Sequence, residues 1–172
     1  MAGRMDGVAG VPALLFALAL GACGPMGRPR EGRLEATWTG SDKGRLSGTA
    51  TAVWCRDARV ALLTGVSGDT GVSLLIHPAE SLTPGRYPIL EPGKARTTVP
   101  AAALGLRLLG RMAVVGYQSA SGALTLERAA GTRVSGRFES TAKVVSELEG
   151  TVQLVGRFRD VPVTAGGAAC PP

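Results

Sequence analysis

The sequence predicts an all-β domain: an antiparallel β-sandwich of about nine or ten short strands, with a closed β-barrel as the alternative. Three observations lead there. Gly 25 and Pro 11 make up about a fifth of the 172 residues, against an ordinary level of roughly 12%, and such dense punctuation shortens segments. From Arg33 onward, apolar residues recur with period two, the signature of half-buried strands. No long stretch carries a helical period without interruption by glycine or proline. Aromatic residues are only 4% of the chain, so the expected core is built mainly from Val, Leu and Ala.

The first element is not part of that domain. Met1 to Pro12 carry Arg4 and the terminal amine, and Ala13 to Leu20 form a short apolar block. The block has the length of a signal-peptide apolar region and falls short of the roughly 20 residues a spanning helix needs. Leu20-Gly21-Ala22-Cys23 follows, and it resembles the lipobox of bacterial lipoproteins. The resemblance implies cleavage between Ala22 and Cys23 and a diacylglyceryl group on the Cys23 thiol. Asp6 departs from the pattern by weakening the positive start. Residues 1–22 are then a signal peptide, and the processed chain keeps the charge of +6 because Arg4 and Asp6 leave together. Two acyl chains give stable attachment where one is marginal. Gly24 follows the cysteine in place of the Asp that retains lipoproteins in the inner membrane of enterobacteria-like systems, which points to the outer membrane of a bacterial envelope. Residues 23–32, the lipidated Cys and GPMGRPREG, read as a flexible tether that spans about 30 Å when extended.

Residues 33–172 form the displayed domain. RLEATWT places Leu34, Ala36 and Trp38 on one face. RLSGTATAVWC does the same for Leu46, Gly48, Ala50, Ala52 and Trp54. RVALLTGV and GVSLLIHP are more continuously apolar, as central strands are. The mixture of half-polar strands with strands apolar on both faces is what favours the sandwich. Val99 to Met112 reads either as a short helix or as a strand ending at Gly110, with another strand at Met112–Gln118; Gly105 and Gly110 favour strands. GALTLER alternates again.

The clearest pair is RVSGRFESTAKV and TVQLVGRFRD, joined by the turn SELEG as a hairpin. A register with Phe138 opposite Phe158 would set the two Gly-Arg-Phe triplets side by side. The arrangement over about residues 112–163 is similar to uncharacterised β-sandwich domains carried by bacterial lipoproteins, a resemblance that implies a fold and no activity.

Three cysteines are present. With Cys23 committed to lipid, Cys55 and Cys170 remain as an even pair in an oxidising compartment, where a disulfide is expected. The bridge would pin the C-terminal TAGGAACPP to the end of a strand.

Little else carries chemistry. Asp69 in GDTGV matches the aspartic-protease triplet but follows Ser67-Gly68 and reads as a turn. Ser140 and Lys143 have the Ser-x-x-Lys spacing, yet in a strand they point to opposite faces, and the companion motifs are missing. His77 is the only histidine, which excludes a His-based metal centre within one chain and leaves a half-exposed strand-end residue. No cofactor or metal is expected. Trp38, Trp54, Tyr87 and Tyr117 are the aromatics available for a sugar- or peptide-binding surface. Trp38 and Trp54 fall on inward faces, which favours the core, while Tyr117, opposite in parity to Val114 and Gly116, is expected at the surface, and with His77 is the candidate ligand-binding residue. The 16 Arg and 3 Lys are spread along the chain, which speaks against nucleic acid and allows a protein or acidic glycan partner. The expectation is a lipid-anchored, non-enzymatic binding or interaction module of the envelope. The rivals are a small hydrolase using His77 and a structural accessory subunit.

Overall fold

A computed structural model describes residues 31–109, 113–146, 149–166 and 170. The expected signal peptide, the cleavage site at Ala22, the lipidation site at Cys23 and the tether up to residue 30 lie outside the described residues, as do 110–112 and 147–148.

The chain is all-β. Nine strands, β1 (Gly32–Gly40), β2 (Gly44–Cys55), β3 (Val60–Ser67), β4 (Thr70–His77), β5 (Gly85–Leu90), β6 (Ala101–Leu109), β7 (Val114–Ala130), β8 (Arg133–Val144) and β9 (Thr151–Ala165), share one mixed sheet, with one short helix, α1 (Pro92–Thr97). Pairing runs β1-β2-β3-β4-β6-β5-β7-β8-β9, and β9 returns to pair with β1. Most pairings are antiparallel, as expected; β5–β6 and the tail of β9 against β2 are short parallel exceptions. That tail occupies the gap beside β2 below the start of β1, because Gly32 pairs with Ala50 while Ala52 to Trp54 pair with Val163 to Ala165. Each strand therefore has neighbours on both sides, and an exposed ladder of backbone donors is avoided.

The ring of strands has two ends. At the entry end β1 begins, β2, β4 and β9 finish, and β6 and β8 begin. At the far end are the β1–β2 and β3–β4 turns, the start of β7 and the β8–β9 turn. Inward positions fill the space between. Leu34, Leu63, Leu74, Leu104, Leu124 and Leu154 are all essentially inaccessible, joined by Phe138 and Phe158. The aliphatic core expected from composition is present, and Trp38 and Tyr87 sit in it; Trp54 packs against it half-buried.

The hairpin β8–β9 forms with a different register from the one expected. Phe138 pairs with Gly156, and Gly136 pairs with Phe158. A Cβ built on Gly156 would lie 2.4 Å from Phe138 Cζ, and one on Gly136 would lie 2.8 Å from Phe158 Cζ. Each ring thus lies over the bare backbone of the opposing glycine. The alternation fixes which residues face inward but leaves the slide of one strand along the other open in steps of two; ring-over-glycine packing selects the step that avoids two bulky rings abreast.

Residues Ala101–Leu109 form the strand β6, the reading that Gly105 and Gly110 favoured. Two further differences have local causes. The strand β5 and the helix α1 have no counterpart in the expected pattern, because six residues with two prolines between them carry too little period to register. The expected strands at Met112–Gln118 and GALTLER are one 17-residue strand, β7, bent by register shifts between Ser119 and Ser121 and between Leu126 and Arg128. Such a bulge inserts one unpaired residue and exchanges the faces beyond it.

Cys55 and Cys170 are joined, with Sγ atoms 2.10 Å and Cα atoms 5.6 Å apart, consistent with the pairing expected from the cysteine count. Beside them the Gly166 amide donates to the Trp54 carbonyl at 2.8 Å.

Candidate functional site

The inward side chains pack into one core, and a groove of about 570 Å3 lies on the outer wall near the far end, spanning β3, β4, β6 and β7. Its construction follows from the register. One outward row runs Val66, Gly71, Arg107, Gly116, each paired to the next, and the Val145 amide donates to the Gly116 carbonyl at 2.8 Å to extend it. The adjacent row is Thr64, Ser73, Gly105, Gln118. Gly71 and Gly116 on either side of Arg107 in the first row, and Ser73 and Gly105 at the centre of the second, leave a trench floor close to the backbone. Valines form its lips: Val66, Val114 and Val145 are each more than half exposed. Leu109, paired with Val114, extends the apolar rim, and its amide donates to the Asp69 carbonyl at 2.9 Å. Elsewhere on this wall α1 covers the sheet, seating Ala95 against Ala101, Ala103 and Leu75. The groove is the part of the wall that α1 leaves open.

Chemically, this surface suits binding by shape and apolar contact, with Ser73, Thr64 and Gln118 placed to orient a ligand. Asp69 and Arg107 are its charged members. No nucleophile–base pair lines it, and among the described residues no group of three His, Cys, Asp or Glu side chains converges on a metal-sized space.

Tyr117 is not at the surface. It is 3% exposed, with its ring inside the sheet and its hydroxyl donating to Asp42 Oδ2 at 2.5 Å and lying 3.4 Å from Ser41 Oγ. Burial, reinforced by the Asp42 carboxylate, pushes its phenol pKa up. The parity relation to Val114 and Gly116 is right and the face is reversed. Val114, apolar and near a strand end, stands outside as a lip of the groove, so Tyr117 points in and closes the ring beneath the β1–β2 turn.

His77 ends β4 at the entry end, paired with Ala101, and is half-buried as expected. Its Nε2 is buried and has no hydrogen-bond partner among the described residues. Desolvation, with a smaller contribution from Arg96, holds its pKa below the ordinary 6.5. The folded state therefore disfavours the imidazolium, and stability present at neutral pH is lost as the pH falls and the unfolded chain takes up the proton first. Urea midpoints measured from pH 7.5 to pH 5 are expected to decline, with a shallower decline in His77→Gln; identical slopes would remove His77 from the account.

Asp69 lies in the exposed β3–β4 turn, as expected, with Gly68 at φ +54 beside it. The strand β4 separates it from His77 by about 25 Å at roughly 3.3 Å per residue. His77 and Tyr117 stand near opposite ends, so the structure does not bring His77, Asp69 and Tyr117 together. Ser140 is buried, donating to the Ser121 carbonyl at 2.9 Å, while Lys143 is exposed, on opposite faces as the strand reading requires.

The groove residues were not legible in the sequence as a site. They come from four strands, and the one local signal is small outward residues where polar ones are usual. No family model, no curated protein and no solved structure matches this chain.

Proposed function

We propose that the chain is a lipid-anchored display domain of the bacterial envelope, a closed β-barrel in architecture, that binds a protein partner through its wall groove and performs no chemistry of its own. The lipobox-like Leu20-Gly21-Ala22-Cys23 supports the location, and the return of β9 to β1 supports the barrel over the sandwich. The observation that carries the binding reading is the groove, apolar at its lips, floored by glycine and serine, and set at the end of the ring away from where the tether enters at Gly32. Apolar lips suit a protein segment better than an acidic glycan. The same exposed valines favour a second reading, an accessory subunit that buries this wall against a larger envelope complex.

Two measurements test the proposal. Metabolic palmitate labelling is expected in the wild type and absent in Cys23→Ser; labelling that persists removes the anchor. For the groove, Gly71→Leu and Gly116→Leu fill the trench with little disturbance, because a Cβ at Gly71 meets nothing nearer than 4.0 Å and one at Gly116 meets Val145 at 3.9 Å. A photo-crosslinker at Ser73 in intact envelopes is expected to give a discrete adduct that disappears in the Gly116→Leu background. An adduct unchanged by the filled groove would place binding elsewhere.

A further inference from the structure

The charge of +6 is not spread evenly over the fold. The entry end carries Arg56 and Arg59 in the β2–β3 turn, Arg86 at the start of β5, Arg96 in the last turn of α1 and Arg159 on β9, beside Arg33 near the start of β1. All are exposed. Arg33 reaches Glu35, but Arg56, Arg59, Arg86, Arg96 and Arg159 make no ion pair among the described residues. Asp160 at this end is paired with Arg128 at 3.3 Å, leaving Asp57, Glu80 and Glu31 as the other carboxylates. The far end carries a smaller excess of positive charge, with Lys43, Arg45, Arg107 and Lys143 against Asp42, Asp69 and Glu149. Arg59 also holds φ +50, a left-handed conformation that favours glycine.

The chain enters the domain at this same end, at Gly32. We propose that the arginine-rich entry end is a docking surface for anionic lipid headgroups, seating the domain on the membrane with the groove facing away. This rests on the proposed anchoring for its choice of membrane over acidic glycan: a tether of about 30 Å keeps this end within reach of the headgroups. Clustered arginines are drawn to a negative surface potential that decays within a Debye length, about 8 Å at physiological salt, so only the end nearest the membrane responds to it.

The test uses the full chain as Cys23→Ser, which carries no lipid, in sedimentation with vesicles of phosphatidylcholine alone or mixed with phosphatidylglycerol. Binding is expected only to the anionic vesicles and to fall steeply with salt. Each neutralised arginine weakens it by a factor of about five, so Arg56→Gln, Arg59→Gln, Arg86→Gln and Arg159→Gln combined lower it roughly a hundredfold or more. Neutralising Lys43 and Lys143 at the far end is expected to change it less than about twofold, by the same distance argument. Equal losses from both ends, unchanged binding in the arginine variant, or no preference for anionic vesicles overturns the proposal. So does tighter binding to soluble polygalacturonate than to vesicles, which would make the occupant an acidic glycan. Because the chain is unlipidated, failure here is distinguishable from failure of the anchor, which palmitate labelling of the wild type reads separately.

Discussion

Phe158→Ala is expected to lower the unfolding free energy by about 3–5 kcal/mol, the range for truncating a fully buried phenylalanine. The side chain is inaccessible at the centre of the ring, and its Cζ lies 2.8 Å from where a Cβ on Gly136 would be. The surroundings cannot close over the lost ring. Gly136 has no side chain to advance, and adding one is blocked from behind, because its Cβ would meet the Thr125 carbonyl oxygen at 2.4 Å. Transfer and cavity contributions therefore both apply. Urea denaturation reads the effect as a lower midpoint at unchanged m. A loss below about 1 kcal/mol, the cost of a minor trimming of the core, would mean that β8 and β9 slide into another register with the ring elsewhere. The symmetric variant, Phe138→Ala opposite Gly156, is expected to behave alike.

Reducing the Cys55–Cys170 bridge is expected to cost about 4–5 kcal/mol. The sequence separation is 115, and the chain-entropy estimate grows with the logarithm of the loop, reaching this range near that length. The structure supplies the reason the loop matters. The tail of β9 is parallel to β2 over three residue pairs only, Ala52 with Val163 to Trp54 with Ala165, and the Gly166 amide to the Trp54 carbonyl is its last backbone tie. Without the bridge this end of the ring depends on a short ladder. Thermal unfolding with and without reductant should differ by on the order of 10–15 °C for a chain of this size, and Cys55→Ala with Cys170→Ala should match the reduced protein. Equal midpoints would show that the tail contributes nothing to global stability.

Both effects bear on the proposed function through rigidity. The groove floor is shared by β3, β4, β6 and β7, which stay fixed only while the ring is closed. Loss of the β1–β9 or β2–β9 pairings opens the ring on the side away from the groove, so binding and stability should fall together in Phe158→Ala but separately in Gly116→Leu.

Much of the fold was legible because it is local. In β1, β2, β8 and β9 as far as Phe158 every second residue is apolar or small, so the inward sets containing Leu34, Leu46, Phe138 and Leu154 could be read from alternation alone. The turn around Gly68-Asp69 followed from residue type, and the pairing of Cys55 with Cys170 followed from counting once Cys23 was set aside. Three things were not local. The slide of β8 along β9 depends on which ring fits over which glycine, and both triplets are Gly-Arg-Phe, so the sequence is ambiguous by its own repetition. The facing of Tyr117 depends on the bulge near Ala120, which separates two runs of opposite parity within one strand. The groove and the arginine-rich end each gather residues from segments far apart along the chain.

The sequence by itself determined the class of the domain and most of its strand faces, since these rest on periodicity and composition within a few residues. The tertiary structure decided register, closure and which outward residues meet. Those depend on packing across strands, where a missing side chain at Gly71, Gly105 or Gly116 acquires meaning only from its neighbours.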